Sequence, residues 1–189
     1  MMFLRGRGTD RSSSLLLITG GVRSGKSAFA QRRVELSSAR RRVMLATGVA
    51  IDAEMRRRIA RHRRARGAGW RTLEIPRELP DRIPPSLLRP GTCFLLDCLA
   101  TWSTNLILQK QSNVRIESRL DRFLDRIETA GADLICVTNE VGAGVVPTTP
   151  LGRRFQDLLG RLNQRAARRA DQVIWMVSGL PVWVKGGDR

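Results

Sequence analysis

The chain has 189 residues, 42% of them hydrophobic, which suits one domain with a full apolar core. Its formal net charge of +17 comes mostly from arginine, and only 5% of its residues are aromatic; with so few rings for base stacking, we expect no nucleic acid as the main partner. No apolar run approaches the roughly 18 residues that a membrane span requires, and without an export signal we expect a cytoplasmic protein.

Apolar, β-branched runs alternate with segments long enough for helices, which predicts an α/β fold with a mostly parallel central sheet flanked by helices. We expect residues 1–14 to be a disordered extension and residues 15–189 to form a single domain. The predicted strands are 15–19, 43–47, 93–97, 134–138 and 173–177, with an edge strand at 182–184. The predicted helices are 26–37, 53–65, 101–111, 115–129 and 151–170, with a short piece near 84–88. In such a sheet, ligands bind where the strands end.

The first predicted strand leads directly into residues 20–27, which read Gly-Gly-Val-Arg-Ser-Gly-Lys-Ser. This is a complete G-x-x-x-x-G-K-S phosphate loop in the expected place between a strand and a helix. Its backbone N–H groups and the positive end of the following helix attract phosphate oxygens. The motif predicts binding of a nucleoside triphosphate, with Lys26 on the β and γ phosphates and Ser27 on Mg²⁺.

A carboxylate, Asp97, ends the apolar run at 93–97. Phosphate-loop proteins place the acid that holds the Mg²⁺ water shell in this position, so Asp97 is the second candidate for the metal. The alternative is an aspartate that caps the next helix. We expect the three cysteines, Cys93, Cys98 and Cys136, to be reduced, buried strand residues.

The single histidine, His62, lies in an arginine-rich segment. On a helix, Met55, Ile59 and His62 share the inward face. Neighbouring cations keep an imidazole neutral, and a neutral histidine beside a triphosphate could attack phosphorus. A lone helical histidine can equally be structural, and the arginines can form an ordinary solvated face or a basic patch for RNA.

The loop after the strand at 134–138 carries four substrate-loop candidates. Asn139 and Glu140 come first, and Gly142 and Gly144 allow the loop to approach a ligand closely. An ordinary turn with a surface carboxylate explains the pattern as well. From spacing alone, Glu74 could likewise be a site residue or an ordinary surface carboxylate.

Six motifs together extend this picture: residues 20–27, Arg58-Ile-Ala-Arg-His62 with Arg66, Trp70-Arg-Thr-Leu-Glu74, and residues 138–147, 160–164 and 177–179. In this order they resemble the bifunctional adenosylcobinamide kinase/adenosylcobinamide-phosphate guanylyltransferase family of cobalamin biosynthesis. The resemblance implies a RecA-like P-loop NTPase fold and a homotrimer. It implies GTP, ATP, adenosylcobinamide and adenosylcobinamide phosphate as substrates, with Mg²⁺ held by Ser27 and Asp97.

The resemblance also implies site residues. His62 would be the nucleophile that carries GMP, and Lys26 would serve the phosphoryl transfer. The implied nucleotide site consists of Gly20, Gly21, Val22, Arg23, Ser24, Gly25, Lys26, Ser27, Thr47, Gly48, Val49, Arg63, Arg64, Ala65, Arg66, Glu74 and Asp97. Because residues 47–49 are less polar than in some relatives, we expect backbone contacts there. Two other functions fit the motifs less fully: a simple P-loop kinase for another small alcohol, and an arginine-rich RNA-binding NTPase.

Overall fold

The computed structural model describes residues 13–49 and 69–187, together with Arg57. Of the expected extension over residues 1–14, residues 1–12 lie outside the described part of the chain, and the Ser14 N–H donates to the Asp133 carboxylate at 2.9 Å. Most of the predicted helix at 53–65, including His62, also lies outside the described part, as do Arg63, Arg64, Ala65 and Arg66.

Seven strands of the described residues form one sheet in the order β3-β2-β4-β5-β1-β6-β7. All neighbouring pairs are parallel except the pair of β7 with β6. This confirms the predicted mostly parallel α/β sheet. The strands are β1 (Leu15–Gly20), β2 (Arg41–Ala46), β3 (Trp70–Glu74), β4 (Thr92–Asp97), β5 (Asp133–Val137), β6 (Gln172–Val177) and β7 (Leu180–Lys185).

Helices cover both faces of this sheet. They are α1 (Lys26–Glu35), α2 (Leu99–Leu108), α3 (Asn113–Thr129) and α4 (Pro150–Arg169), with a 3₁₀ turn at Pro85–Leu87. On one face, Ala30 and Val34 of α1 pack with Ile18, Leu95 and Val137. The other face packs against α2, α3 and α4 in a larger core cluster. No helix among residues 13–49 and 69–187 is long and apolar enough to cross a membrane.

Strands β1, β4 and β5 lie in the middle of the sheet and are apolar along nearly their whole length, for example Phe94, Leu95 and Leu96, which are all buried. A parallel strand with helices on both faces has no solvated side, so continuous apolar runs are favoured there. The burial explains why these strands were predictable from the sequence.

Strand β3 was not predicted. It pairs with β2 at one edge of the sheet, and its residues range from half-buried to exposed. Because one side of an edge strand has no neighbour, the segment needs fewer apolar residues, and Arg71 and Glu74 interrupt its pattern. The irregular segment that follows still packs Leu79, Ile83 and Leu87 into the core.

A ladder of ion pairs joins α3 to α4. Glu117 accepts hydrogen bonds from Arg161 at 2.8 Å and from Arg165 at 2.9 Å, and Arg169 donates to Asp125 and Glu128. The Glu117 side chain is 13% exposed. Desolvation by burial alone would raise the pKa of Glu117, but the hydrogen bonds and charges of the two arginines outweigh it and lower the pKa.

We therefore expect Glu117→Gln to destabilise the protein by about 1 kcal/mol at pH 7. The folded pKa lies below the unfolded value of about 4.3, so the stabilisation is present above that pH and is lost as the pH falls through the folded pKa. Urea unfolding measures the free energy of unfolding of both proteins at pH 7 and below pH 4. The difference between wild type and Glu117→Gln should be smaller at the acid pH. Asp157→Asn, an exposed carboxylate on α4, is the matched control. An equal loss of stability in Glu117→Gln and Asp157→Asn would contradict a stabilising role for the Glu117 ion pairs.

Candidate functional site

The predicted phosphate loop connects β1 to α1, and the first turn of α1 has no capping side chain. Gly25 is the N-cap of α1, with φ 86°, and the first turn contains no acidic residue. In α2, α3 and α4, by contrast, a side chain of the N-cap residue accepts a hydrogen bond from the first turn. Amide donors at the start of α1 have no intrahelical acceptor. They can therefore bind an anion such as a phosphate group.

The loop lies against the turn between β6 and β7. The Gly179 N–H donates to the Ser24 carbonyl at 3.2 Å. A Cβ atom on Gly20, which has φ 152°, would lie 2.6 Å from the Met176 carbonyl oxygen and 2.8 Å from Ser24 Oγ. Only a glycine fits at this position, because the neighbouring backbone occupies the space of a side chain.

The Lys26 side chain folds back over the loop. Its Nζ donates to the Gly21 carbonyl at 2.7 Å, and the residue is 8% exposed. Ser27 follows it and is half-buried, while Val22 and Arg23 are exposed. The loop thus carries a buried ammonium group and an adjacent hydroxyl at the start of the helix, the groups that a bound triphosphate and its metal require.

Asp97 lies on the same face of the sheet as α1. It is paired in register with Val137, which is paired with Ile18 just before the phosphate loop. Aligned residues of parallel strands share a face, and two strand spacings separate the Asp97 and Ile18 backbones by about 10 Å. The register therefore places the carboxylate beside the start of α1.

The electrostatics of Cys98 agree with this placement. Burial raises the pKa of the Cys98 thiol, and the Asp97 carboxylate raises it further, while Thr101 and the Lys26 ammonium lower it. The Asp97 and Lys26 charges therefore act on the same thiol. Asp97 is also not the cap of α2, because Cys98 occupies that position and its sulfur accepts from the Thr101 N–H at 3.4 Å.

The cysteines correct one expectation. Cys93 and Cys136 are buried strand residues, and burial raises the pKa of Cys93 to about 12. Cys98 lies one residue beyond β4 and is half-buried, so the prediction of a buried strand residue was wrong there. The following helix begins at Leu99, two residues before the predicted start at residue 101, so Cys98 becomes its N-cap, a position where a cysteine is unusual. All three thiols are free.

The residues paired laterally across the sheet from Ile18 through Val137, Asp97 and Ala46 to Glu74 form a row. Ala46 of β2 is paired in register with Glu74 on one side and with Asp97 on the other. Glu74 is exposed at the end of β3, about 20 Å across the sheet from Ile18 by strand spacing. An extended ligand that starts at the phosphate loop could reach it along this row.

Residues 47–49 follow β2 at the same edge. Thr47 is fully buried, and its polar groups contact Asp97, Cys98 and Asn105. Gly48 and Val49 are half-buried. The structure therefore leaves Gly48 and Val49 better placed for backbone contacts with a ligand than Thr47.

The loop after β5 borders the phosphate loop. The Glu140 N–H donates to the Gly20 carbonyl at 3.1 Å, and the Glu140 carboxylate accepts from the Gly142 N–H at 3.1 Å. Helix α4 holds the loop: Asn163 donates to the Asn139 carbonyl at 3.0 Å, and Gln156 donates to the Val141 carbonyl at 2.7 Å. Beyond Val141 the loop is largely exposed, including Gly144 and Val145.

Comparison with known proteins identifies the family. The sequence profile of the cobinamide kinase / cobinamide phosphate guanyltransferase family matches residues 16–184. This chain belongs to that family. It is 42% identical over 170 residues to the bifunctional adenosylcobalamin biosynthesis protein CobP of Pseudomonas aeruginosa, covering 90% of this chain and 96% of that protein. The CobU proteins of Salmonella typhimurium and Escherichia coli are 37% and 34% identical over 183 residues, covering 90% of this chain and 99% of each.

Solved structures agree on the fold of this cobinamide kinase family member. The flagellar accessory protein FlaH of Methanocaldococcus jannaschii matches with a TM-score of 0.53 at 13% identity, covering 93% of this chain and 81% of that chain. A type III secretion ATPase matches with a TM-score of 0.55 at 14% identity, covering 87% of this chain and 51% of that chain. The predicted P-loop NTPase fold is confirmed. One strand, β5, separates the phosphate-loop strand from the Asp97 strand.

The side chains of the two predicted metal donors, Ser27 and Asp97, both offer oxygen atoms. Among residues 13–49 and 69–187 there is no group of three or more His, Cys, Asp or Glu side chains that could hold a metal ion. Ser27 and Asp97 supply one hydroxyl and one carboxylate on the same face of the sheet. Such hard oxygen donors suit Mg²⁺, which keeps several waters and takes further ligands from substrate phosphates.

Sequence reasoning missed the side chains that hold the loops of this site. Asn105 of α2 and Asn163 and Gln156 of α4 each bond a backbone carbonyl beyond a strand end. Polar residues within an otherwise amphipathic helix were the available signal, since a partly buried amide needs partners. Their partners depend on the tertiary fold.

The glycine positions yield a matched pair of variants. Gly20→Ala should destabilise the protein by about 1–3 kcal/mol, because the new methyl group meets the Met176 carbonyl and the backbone conformation disfavours a side chain. At Gly21 a Cβ atom meets nothing within 4 Å, so Gly21→Ala should be close to wild type. Urea unfolding without nucleotide compares them. Equal stability of the two variants would contradict the packing described.

Proposed function

We propose that this chain phosphorylates adenosylcobinamide with ATP or GTP and then transfers GMP from GTP to adenosylcobinamide phosphate, giving adenosylcobinamide-GDP. The observation that carries the proposal is the row across the sheet, with the phosphate loop at one end, Asp97 in the middle and Glu74 at the far end. Membership of the family and the bifunctional names of the relatives support it.

In the kinase reaction, the aminopropanol hydroxyl of adenosylcobinamide attacks the γ phosphorus of the nucleotide. The new O–P bond forms as the bond to the β-phosphate oxygen breaks, the hydroxyl proton is released, and the nucleoside diphosphate leaves. Lys26 and the amides at the start of α1 bind the phosphate oxygens on which negative charge is concentrated. Residues Gly20 to Gly25 form the remainder of this cradle.

Ser27 and Asp97 would hold Mg²⁺, Ser27 directly and Asp97 through the metal's water shell. The ion supplies positive charge that offsets the charge on the triphosphate. The fit rests on the donor types and on the shared face of the sheet.

In the guanylyl transfer, a neutral His62 nitrogen attacks the α phosphorus of GTP. The N–P bond forms, the bond to the β-phosphate oxygen breaks, and pyrophosphate leaves. An oxygen of adenosylcobinamide phosphate then attacks the same phosphorus and breaks the N–P bond. His62 and the flanking Arg63, Arg64, Ala65 and Arg66 lie outside the described residues, so their roles rest on the sequence and the resemblance.

The far end of the row would bind the nucleoside. Glu74 offers an exposed carboxylate that can accept hydrogen bonds from ribose hydroxyl or base N–H groups, and Gly48 and Val49 offer backbone groups. The corrinoid end of the second substrate would meet the loop after β5, where Asn139 and Glu140 border the phosphate loop. Gly142 and Gly144 permit close approach there, and Val145 is 93% exposed.

The resemblance further supports a homotrimer working in the cytoplasm, where nucleotides are available. Exposed apolar side chains on β6 and β7, including Trp175, Leu180 and Val182, form the type of surface that subunit contacts cover.

The covalent step can be tested by incubating purified protein with Mg²⁺ and GTP labelled at the α or the γ phosphate. We expect acid-labile α label on denatured wild-type protein and none on His62→Ala. Lys26→Ala should impair both reactions, whereas His62→Ala should retain much of the kinase reaction. Arg57→Ala, an exposed arginine in the same arginine-rich stretch, serves as the control and should keep its label.

Folded wild-type protein without α label would favour a simple P-loop kinase, and γ label alone would indicate a phosphoenzyme instead. Strong stimulation of nucleotide hydrolysis by RNA would favour an RNA-binding NTPase, an alternative that the comparisons do not support.

Sedimentation velocity tests the assembly. We expect a single species with three times the mass of the chain, as the resemblance implies, in which subunit contacts cover the apolar face of β6 and β7. Leu180→Asp, on that exposed face, should shift the protein toward monomers. A monomeric wild-type protein at micromolar concentration would contradict the homotrimer.

A further inference from the structure

The Thr47 hydroxyl makes a two-way contact with Cys98. Its Oγ1 donates to the Cys98 carbonyl at 2.9 Å and accepts from the Cys98 N–H at 2.9 Å. A threonine hydroxyl has a single proton to donate, so its donor is used inside the protein. The residue is 0% exposed, which leaves the side chain no open side toward a nucleotide.

These contacts surround the peptide that follows Asp97. The Thr47 N–H also donates to the Asp97 carbonyl at 3.4 Å. Both polar groups of the peptide between Asp97 and Cys98 therefore contact Thr47, and so does the next carbonyl. The backbone that carries the Asp97 side chain is therefore held by Thr47, the residue just past the neighbouring strand β2.

Thr47 is itself held from α2. The Asn105 amide donates both to the Thr47 carbonyl at 2.9 Å and to the Pro76 carbonyl at 2.9 Å. One side chain thus ties the chain just past β2 to the chain just past β3. The hydroxyl of Thr47 is positioned against Cys98 by a partner on the helix that begins there.

We infer that Thr47 is a positioning residue for Asp97 and that its hydroxyl sets the affinity of the site for Mg²⁺. The inference rests on the proposed function, in which Asp97 serves the metal. Groups outside the first coordination shell of a metal commonly change metal affinity or activity by about 10–100-fold when they are removed. Thr47 acts in this way through the Asp97–Cys98 backbone.

A direct contact between Thr47 and the nucleotide would have a different consequence. Loss of a nucleotide ligand weakens binding whether or not Mg²⁺ is present. Loss of a positioning residue for Asp97 weakens only the part of binding that depends on Mg²⁺. The two roles separate when affinity is measured across a range of Mg²⁺ concentrations.

The test compares Thr47→Val, which keeps the shape and removes the hydroxyl, with Thr47→Ser, which keeps the hydroxyl. The matched control is Thr92→Val. Thr92 is another fully buried threonine, at the opposite end of β4, whose hydroxyl accepts from Arg41 at 3.0 Å. Each protein is titrated with a fluorescent, non-hydrolysable GTP analogue with and without Mg²⁺, and the Mg²⁺ concentration for half-maximal binding is recorded.

We expect Thr47→Val to raise that Mg²⁺ concentration by about tenfold or more, with metal-free affinity unchanged. Thr47→Ser and Thr92→Val should stay within about twofold of wild type. An unchanged Mg²⁺ requirement in folded Thr47→Val, or an equal loss of affinity with and without Mg²⁺, would overturn the inference.

If Thr47→Val does not fold, Asn105→Ala replaces it, because removing the amide releases the Thr47 carbonyl. A shift of the Mg²⁺ requirement in the same direction supports the inference, and no shift overturns it. The proposed function is judged separately, from the labelling of wild-type protein. Absence of α label on wild-type protein would reject guanylyl transfer, and the comparison of Mg²⁺ requirements would remain valid.

Discussion

The in-register parallel pairing of β3, β2, β4, β5 and β1 is the constraint on which the rest of the site depends. Its hydrogen bonds bring the carboxyl ends of five strands to one edge of the sheet. Because side chains alternate between the two faces, the register places Asp97 on the face that α1 covers. A shift of one residue in β4 would turn Asp97 to the opposite face. The site is therefore specified by sheet register before any loop contributes to it.

The loops at this edge are held mainly from the helices. Asn105 of α2 and Asn163 and Gln156 of α4 bond backbone carbonyls just beyond the strand ends. Buried or half-buried carbonyls need such partners, and the bonds satisfy them while fixing the direction in which each loop leaves the sheet. In the exposed part of the loop after β5, water can bond the carbonyls. This loop is therefore held firmly near the strand and is accessible to a ligand further along.

Some features could be predicted from the sequence because they have a local signal, and others could not because they depend on tertiary packing. Buried central strands are continuous apolar runs, and the phosphate loop has a local signature, so both could be located directly. Strand β3 could not, because an edge strand has little need of apolar residues. The role of Cys98 as a cap and the contact of Thr47 with it depend on packing between β2 and α2. The nucleophilic role of His62 stays a prediction, since it lies outside the described residues.

The contact between Gly179 and Ser24 links two segments that lie far apart in the sequence. The phosphate loop precedes the β6–β7 turn that supports it by about 150 residues, and Met176 of β6 also borders Gly20. During synthesis, the motif leaves the ribosome long before its support exists. A nascent chain without the β6–β7 hairpin lacks this support, so the nucleotide cradle is complete only after both parts of the chain have been made.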